Sequence, residues 1–221
     1  MIEIQSLGGI ALKTGDGEQV RLRSRKHTGL LLYLAMSRHR LFRREHLTSL
    51  FWTTPPDRAR HSLSQAVYDL RTHLDGVLIR GPGEQLSIEG RGLSFDALEF
   101  EAAVKEGRLA EAIDLYRGPF AQNLEGAGTR EFDRWVESER LRLQRLAEVA
   151  FRRYTGECES KGRWGEMCVA AMRLTEMTPL DEDAHMCLMR GLWLHGDAAA
   201  ALRHYGTAIE YLARELPDGP S

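Results

Sequence analysis

The 221-residue sequence contains no hydrophobic run that approaches the roughly 18 residues needed for a membrane-spanning helix. Its first residues, MIEIQSLGG, lack the basic start and apolar stretch of a secretory signal peptide. Cysteine is scarce, since Cys158, Cys168 and Cys187 are the only three, which argues against a disulfide framework. These absences predict a cytoplasmic protein with reduced thiols and no membrane association.

Signatures of catalysis and of bound cofactors are also missing. The glycines at Gly8-Gly9 and Gly81-Pro-Gly83 lack the spacing of a phosphate-binding loop. The eight histidines form neither an H-E-x-x-H motif nor a Ser/His/Asp arrangement. The cysteine spacings of ten and nineteen, with His185 nearby, differ from those of zinc fingers, so small core side chains are the favoured interpretation. We expect no enzyme activity, no metal and no cofactor.

Acidic residues are absent between Glu18 and Glu45, a stretch that holds eight basic residues. Residues 1–95 carry 14 Lys/Arg against 9 Asp/Glu, a net charge of +5. Residues 96–221 carry 16 against 23, a net charge of −7. This asymmetry favours a polyanion-binding domain followed by a domain with a different partner. The alternative is two solvated surfaces with a chance bias in charge.

Arg58–Leu74 is the most informative stretch, because its apolar residues recur at steps of four, three and four. This spacing places Leu63, Val67, Leu70 and Leu74 on one side of a helix. The opposite side carries side chains suited to base edges and phosphates, with three arginines at its flanks. These polar residues are Arg58, Arg60, His61, Ser64, Gln65, Tyr68, Arg71 and Thr72. The pattern predicts a DNA recognition helix, with an ordinary amphipathic surface helix as the alternative.

The surrounding pattern predicts a winged helix-turn-helix. The expected elements are strands over Ile2–Leu7, Ile10–Lys13 and Gln19–Leu22, helices over Arg25–Ser37 and Arg43–Trp52, the recognition helix, and wing strands over Val77–Arg80 and Gln85–Ile88. Ser24 and Asp57 are the expected caps of the first and third helices. The intervening prolines end the second helix.

Basic residues around these helices are candidate phosphate contacts. Arg25 and Lys26 oppose the dipole of the helix that they begin, so local stability does not explain them, whereas a nearby phosphate does. Arg43 and Arg44 begin the second helix and are further candidates. Arg80, at the base of the wing, is expected to enter the minor groove or meet a phosphate. For each residue the alternative is a solvated surface position.

From about residue 95 onward the sequence predicts only helices, separated by glycine and proline. The expected helices are Ala97–Glu106, Leu109–Tyr116, Glu131–Tyr154, Trp164–Glu176, Asp181–His195 and Ala198–Leu212. Periodicity places one set of residues of the long helix inward, namely Phe132, Trp135, Val136, Leu143, Leu146, Val149 and Ala150.

A weak internal repeat runs through this half. Gly162 and Gly196 are 34 residues apart, and each is expected to close a turn between helices. An alanine lies five residues after Gly107 and after Gly196, and a tyrosine lies nine residues after each of them. Small and aromatic residues at such positions let two helices pack closely, so the pattern predicts tetratricopeptide-like repeats.

Taken in order, the two halves resemble the SARP-type bacterial transcriptional activators. The motifs that carry the resemblance are residues 47–52 (LTSLFW), 58–71 (RARHSLSQAVYDLR), 79–83 (IRGPG), 95–96 with Phe100, 116–120 (YRGPF), and 179–185 (PLDEDAH) with Met189. The resemblance implies a mainly α chain: an OmpR/PhoB-like winged helix at residues 1–94, then an all-α bacterial transcriptional activator domain with tetratricopeptide-like repeats at residues 95–221.

The resemblance further implies a sequence-specific DNA-binding regulator, usually an activator, located in the cytoplasm with the nucleoid. Such regulators bind direct repeats in double-stranded DNA near a promoter and contact RNA polymerase. Binding to direct repeats is compatible with self-association of the protein on DNA. Carried over by position, His61, Ser64, Gln65 and Tyr68 face base edges or nearby phosphates. By the same resemblance, Arg60 and Arg71 mainly contact the DNA backbone.

Asp69 departs from the family pattern, because relatives usually carry arginine at this position. An acidic side chain that faces DNA accepts only from a cytosine amino group and is otherwise repelled. Asp69 therefore favours an alternative function, a protein-interaction adaptor with a degenerate winged helix. A third hypothesis, an enzyme regulated by nucleotide, is weaker because no phosphate-binding loop is present.

Overall fold

The computed structural model describes residues 1–37, 40–74, 78–80, 85–89 and 92–215, with the backbone alone at residues 78–80 and 89. The chain forms two compact units. The first contains Met1–Ala102 and Leu115–Leu143, and the second contains Ala103–Asp114 and Gln144–Ser221. The domain boundary at residue 94 stays a prediction. The mainly α fold, with a winged helix-turn-helix before tetratricopeptide-like helices, is confirmed.

Two small sheets belong to the first unit. In one, strand β1 (Ile2–Gln5) pairs antiparallel with β2 (Ala11–Thr14) and parallel with β6 (Leu93–Phe95). In the other, β5 (Gln85–Glu89) pairs antiparallel with β3 (Phe42–Arg43) and with β4 (Leu78–Arg80), and this last pair is the wing. The sequence did not predict β3 or the parallel strand β6, because two- and three-residue strands leave too little alternation to detect.

The expected strand over Gln19–Leu22 was wrong. Val20 N–H donates to Leu12 O at 2.8 Å, and Gln19 forms a single bridge with Lys13, but no further strand pairing follows in the described ranges. The amide of Arg23 donates to the Asp69 carboxylate instead of to a strand. The segment therefore leaves the sheet at this point to begin the first helix.

Three helices form the core of the winged unit: α1 (Arg25–Met36), α2 (Arg44–Phe51) and α3 (Pro56–His73). Ser24 caps α1 as predicted, since its hydroxyl accepts from the His27 amide. The predicted cap at Asp57 was wrong, because Pro55 holds the cap position of α3 and Asp57 lies in the first turn. Pro56 suits the first helical position, since the missing N–H of proline would have no partner in the first turn.

Aromatic side chains join α1 and α2 to the beginning of α6 (Arg130–Ser160), within the first unit. The ring of Phe132 lies 4.6 Å from that of Phe51, and the ring of Trp135 lies 4.8 Å from that of Tyr33. Gly29 lets these rings pack closely on α1, because a Cβ there would meet the Phe132 and Phe51 rings at 3.0 and 3.1 Å, tighter than most Cβ contacts. The helix-turn-helix is thus built on a helix from the second half of the sequence.

Asp96, at the start of α4 (Asp96–Glu106), ties that helix to the end of β1. Its carboxylate accepts from the amides of Ser6 and Leu7 at 2.8–3.0 Å and from the Ser6 hydroxyl at 2.8 Å. Burial favours the neutral carboxyl and raises the pKa of Asp96, despite these hydrogen bonds. The Phe95-Asp96 motif of the family resemblance is therefore a structural junction in this chain.

In the second unit, α7 (Trp164–Met177), α8 (Glu182–Leu194) and α9 (Ala198–Glu215) pack in sequence order, α7 on α8 and α8 on α9. Gly162 and Gly196 have φ of +67° and +95°, a left-handed conformation that glycine adopts without steric cost, so both close turns as the repeat predicts. The repeat is imperfect, because Tyr116 is buried whereas its counterpart Tyr205 is half exposed.

The remaining helical predictions hold with shifted ends. The helix α5 spans Leu109–Leu115, and α6 extends to Ser160, beyond the predicted end at Tyr154. Most of the residues predicted to face inward from α6 are buried or partly buried. The prediction for Val149 was wrong, because this side chain is 50% exposed and Ala147 is buried instead.

Candidate nucleic-acid interface

Helix α3 has one buried and one exposed side, as its sequence predicts. Leu63, Val67 and Leu70 are buried, and the helix continues this apolar seam to Leu74. The eight polar residues predicted to face DNA are exposed, from Arg58 to Thr72. Tyr68 keeps 64% of its surface accessible, which is unusual for a tyrosine that has a packing role. An exposed polar strip of this kind is what entry into a major groove requires.

Two hydroxyls on this strip turn back to the helix. Ser64 Oγ donates to Arg60 O at 3.0 Å, and Thr72 Oγ1 donates to Tyr68 O at 3.0 Å. Arg44, on α2, donates from Nη2 to Ser64 Oγ at 2.8 Å. The Ser64 hydroxyl therefore directs its proton to the helix and a lone pair to an arginine. A local signal existed for the first contact, since mid-helix serine and threonine often bond the carbonyl four residues earlier.

Asp69 does not belong to the exposed strip. Only 3% of its surface is accessible, and its carboxylate lies 2.6 Å from His27 Nδ1 and 3.2 Å from Arg23 Nε. His73 Nδ1, one turn further along α3, lies 3.3 Å from the same carboxylate. The expectation that an acidic side chain faces DNA at this position was wrong. Asp69 faces α1, so it gives no reason to regard the winged helix as degenerate.

The surroundings of Asp69 stabilise its charged form. Burial alone would raise the pKa of this carboxyl. Hydrogen bonds from His27 and from the Arg23 amide, with the charges of His27 and His73, outweigh that effect and hold the pKa of Asp69 below its ordinary value. Asp69 is therefore a buried carboxylate that has an ion pair with Arg23 and contacts from His27 and His73, which is the arrangement that a buried charge needs.

Lys26 and Arg25 have partners within the protein. The ammonium of Lys26 donates to Phe51 O at 2.8 Å and lies 5.8 Å from the centre of the Trp52 ring. It thereby binds a terminal carbonyl of α2, a favourable place for a cation. Arg25 donates from Nη2 to Asn123 O. Tertiary contacts thus give both residues a structural role that the sequence argument did not consider, while their contact with phosphate stays a prediction.

The other basic candidates surround the strip. Arg43 is exposed on β3, and Arg58 is exposed at the start of α3. Arg60 is also exposed and lies 3.3 Å from Asp57, a surface pair that a phosphate can replace at little cost. The backbone of Arg80 ends β4, but its side chain and the wing turn at residues 81–84 lie outside the described residues.

Metal-binding and membrane-spanning features are absent from the part of the chain that the structure describes. No three His, Cys, Asp or Glu side chains there are grouped closely enough to hold a metal ion. His185 instead contacts His204 Nε2 at 3.0 Å and Pro179 O at 2.9 Å. None of the helices described between residues 1 and 215 is both long and apolar enough to span a membrane.

Comparison with known proteins identifies the second half of the chain. Residues 91–221 match the profile of the bacterial transcriptional activator domain. The chain belongs to this family. The SARP-type recognition made from the sequence motifs is thereby confirmed. Proteins of this family and fold are generally not enzymes.

A solved structure extends the comparison to the whole SARP-type chain. Mycobacterium tuberculosis EmbR in complex with a low affinity phosphopeptide has a similar fold, with a TM-score of 0.62 and 24% sequence identity. The match covers 100% of this chain and 62% of that one. No curated protein has a sequence that matches this chain significantly. The family profile begins at residue 91 and does not include α3. Only the geometry of that helix and the similarity of the fold therefore bear on its exposed strip.

Proposed function

We propose that this SARP-type regulator is a sequence-specific DNA-binding activator that inserts the helix at residues 58–74 into the major groove. The observation that carries the proposal is the exposed strip of α3, with Gln65 and Tyr68 projecting from a helix whose opposite side is buried. A free α-helix fits a major groove, where each base pair displays a distinct pattern of donors and acceptors.

Within the strip, His61, Gln65 and Tyr68 are the proposed base-reading residues. Ser64 is a weaker candidate, because Arg60 O and Arg44 already engage its hydroxyl. The arginines at 43, 44, 58, 60, 71 and 80, with Arg25 and Lys26, are the proposed backbone contacts. Phosphate contacts of this kind supply affinity and orientation, whereas the base contacts supply sequence preference.

The second unit is the proposed contact for RNA polymerase. The two segments of this unit, Ala103–Asp114 and Gln144–Ser221, carry 11 Lys/Arg against 15 Asp/Glu, a net charge of −4, which disfavours DNA and suits a protein partner. The described part of this unit exposes large apolar side chains on α8 and α9, among them Trp193 and Leu202. Such residues suit a protein contact, and binding to direct repeats would place two copies of the chain side by side.

Selection of bound duplexes from random DNA tests the proposal, because the enriched duplexes themselves define the operator. We expect a consensus with a repeated half-site and an affinity that falls steeply between about 50 and 200 mM salt, a range general for phosphate-neutralising proteins. Selection of no consensus, together with binding that salt does not weaken, would contradict it. Transcription from a promoter that carries the selected site, with purified RNA polymerase, tests activation.

Gln65→Ala gives the sharpest test of base reading. We expect the variant to lose about 1–3 kcal/mol on the selected sequence and to relax preference at one operator position. Its binding to unrelated DNA should stay unchanged, because the substitution removes no charge. Thr72→Ala is the comparison variant on the same strip, outside the proposed base-reading residues, since that hydroxyl bonds its own helix. Equal losses on all sequences would refute the role of Gln65.

A protein-interaction adaptor remains the second candidate. The exposed apolar residues of α8 and α9 favour it, because unburied aromatic and aliphatic side chains often mark protein contacts. Its distinguishing prediction is that the chain shows no affinity for any duplex at about 50 mM salt, whereas the regulator does.

A further inference from the structure

Arg23 was not among the residues that the sequence pattern assigned to DNA, yet it lies beside the recognition helix. Its Nε is 3.2 Å from Asp69 Oδ1, and its amide donates to Asp69 Oδ2 at 3.3 Å. The two partners differ sharply in environment, since the Asp69 side chain is 3% exposed and the Arg23 side chain is 71% exposed. The buried carboxylate therefore accepts a hydrogen bond from the backbone amide of Arg23 and forms an ion pair with its guanidinium.

The position of Asp69 on α3 determines where this arginine is presented. Successive residues of an α-helix are about 100° apart, so Asp69 is about 40° around the helix from Gln65 and about 60° from Thr72. Gln65 and Thr72 form one edge of the exposed strip, and Asp69 is the first buried residue past that edge. An arginine bound to Asp69 therefore borders the strip at Gln65.

The opposite edge carries a similar arrangement. There, Arg44 on α2 contacts Ser64, which lies about 100° from Gln65 around the helix. Arginines anchored on neighbouring segments thus flank the strip on both edges. Such flanking cations meet the two phosphate backbones when a helix lies in a major groove.

We propose that Arg23 is a DNA phosphate contact and that Asp69 is the positioning residue that holds it at the edge of the recognition helix. This inference rests on the proposed function. The guanidinium suits the role, because it has five N–H donors in a fixed fork. The Arg23 guanidinium forms an ion pair with the buried carboxylate and is mostly exposed, so its terminal NH2 groups can meet a phosphate oxygen. An aspartate in the recognition helix then strengthens DNA binding instead of opposing it.

His27 keeps Asp69 paired when Arg23 is substituted. It lies 2.6 Å from Asp69 and is itself largely buried, so the carboxylate keeps a partner without Arg23. Asp69 would otherwise be a buried, unpaired charge, which is strongly unfavourable. Substitution of Arg23 alone should consequently leave the fold intact.

The first experiment compares Arg23→Ala with Arg134→Ala on the selected operator, at several salt concentrations. Arg134 is an exposed arginine on α6, so its removal changes the net charge by the same amount. We expect Arg23→Ala to weaken all sequences alike and to reduce the slope of log affinity against log salt by about 1, at an unchanged melting temperature. Arg134→Ala should leave that slope unchanged. An unaltered slope in Arg23→Ala, or an equal reduction in both variants, would overturn the proposal.

The second experiment uses the sign of the effect of Asp69→Asn. This change makes the protein more positive by one charge, so an aspartate that merely repels DNA would give tighter binding when neutralised. An aspartate that anchors Arg23 gives weaker binding, by about tenfold or less, because one positioned phosphate contact is lost. Binding is measured at a temperature where circular dichroism shows the variant fully folded. Tighter binding would overturn the anchoring role.

The double variant Arg23→Ala/Asp69→Asn separates anchoring from a general effect on the fold. Once Arg23 is absent, neutralising Asp69 should cause no further loss of affinity. An additive loss would show that Asp69 acts independently of Arg23 and would overturn the proposal. If the unmodified chain binds no duplex at all, the proposed function fails, and this inference fails with it.

Discussion

The contacts within the first compact unit differ in kind from the contacts within the second. In the first, key contacts join residues far apart in the sequence, such as Asp96 with Ser6 and Thr129 with the carbonyl of Leu50. In the second, α7, α8 and α9 pack in the order in which they follow each other. Sequential packing makes stability a sum of neighbouring interfaces, whereas non-local contacts form only when distant segments meet. The difference teaches that a substitution should spread its effect widely in the first unit and stay local in the second.

The largest expected effect comes from removing core leucines, one in each unit. Leu63→Ala on α3 and Leu188→Ala on α8 should each cost about 2–5 kcal/mol of unfolding free energy, because both side chains are buried. Residue-level hydrogen exchange reports where protection is lost. For Leu63→Ala we expect loss in α1, α2 and the start of α6, and for Leu188→Ala only in α7–α9. Loss across both units in both variants would abolish the contrast.

Asp96→Asn tests a single non-local junction of the first unit. The amide NH2 group of asparagine would face the Ser6 and Leu7 amides, which are donors, so at least one buried donor loses its acceptor. We expect a loss of about 1–3 kcal/mol in urea unfolding. Asp133→Asn is the control, since that exposed carboxylate makes one long contact, 3.3 Å from the Gly126 amide. Equal stability of the two variants would contradict a structural role for Asp96.

Lys26 has both a structural contact and a predicted contact with phosphate, and two variants separate them. Lys26→Ala should cost about 1 kcal/mol of stability, because the Phe51 carbonyl at the end of α2 loses its donor. Lys26→Gln keeps a donor without the charge, so stability should partly recover. If Lys26 also meets a phosphate, both variants reduce the salt slope of DNA binding by about 1. An unchanged slope in both would leave Lys26 with its structural role alone.

The smallest expected effect is a change in how the unfolding free energy falls at acidic pH in the variant Asp69→Asn. The pKa of Asp69 is lowered in the folded state, so this group contributes stability above its ordinary pKa of 3.8 and loses it as pH falls through the lowered value. Asp96 has the opposite sign, since its raised pKa favours folding at low pH. We therefore expect Asp69→Asn to flatten the fall in unfolding free energy below about pH 4, measured by urea titration. A steeper fall would contradict the assignment.

Much of the first unit could be predicted from local patterns. The apolar steps of α3 separated its buried from its exposed residues, and Ser24 marked the start of α1. Partners that lie far along the chain could not be predicted in this way. Lys26 and Phe51 are 25 residues apart, and His27 and Asp69 are 42 apart, so no short window contains both members of either pair.

Asp69 is the clearest case of a residue whose environment the sequence pattern did not predict. A residue at the border of an amphipathic helix can lie on either side, because its angle around the helix is compatible with both. Its place in the family pattern, where relatives usually carry arginine, suggested an acidic side chain that opposes DNA. His27 and Arg23, supplied by α1 and the segment before it, turn it inward as a paired carboxylate.

The sequence by itself therefore determined the mainly α class, the winged helix before the helical repeats, and the side of α3 that meets solvent. These depend on periodicity and turn residues, which act within one or two helical turns. Only the tertiary structure decided the direction of Asp69, the partner of Lys26, the parallel pairing of β6 with β1 and the difference between Tyr116 and Tyr205. Each of these depends on which distant segment lies alongside, and that is set by the packing of the whole unit, not by any local stretch of residues.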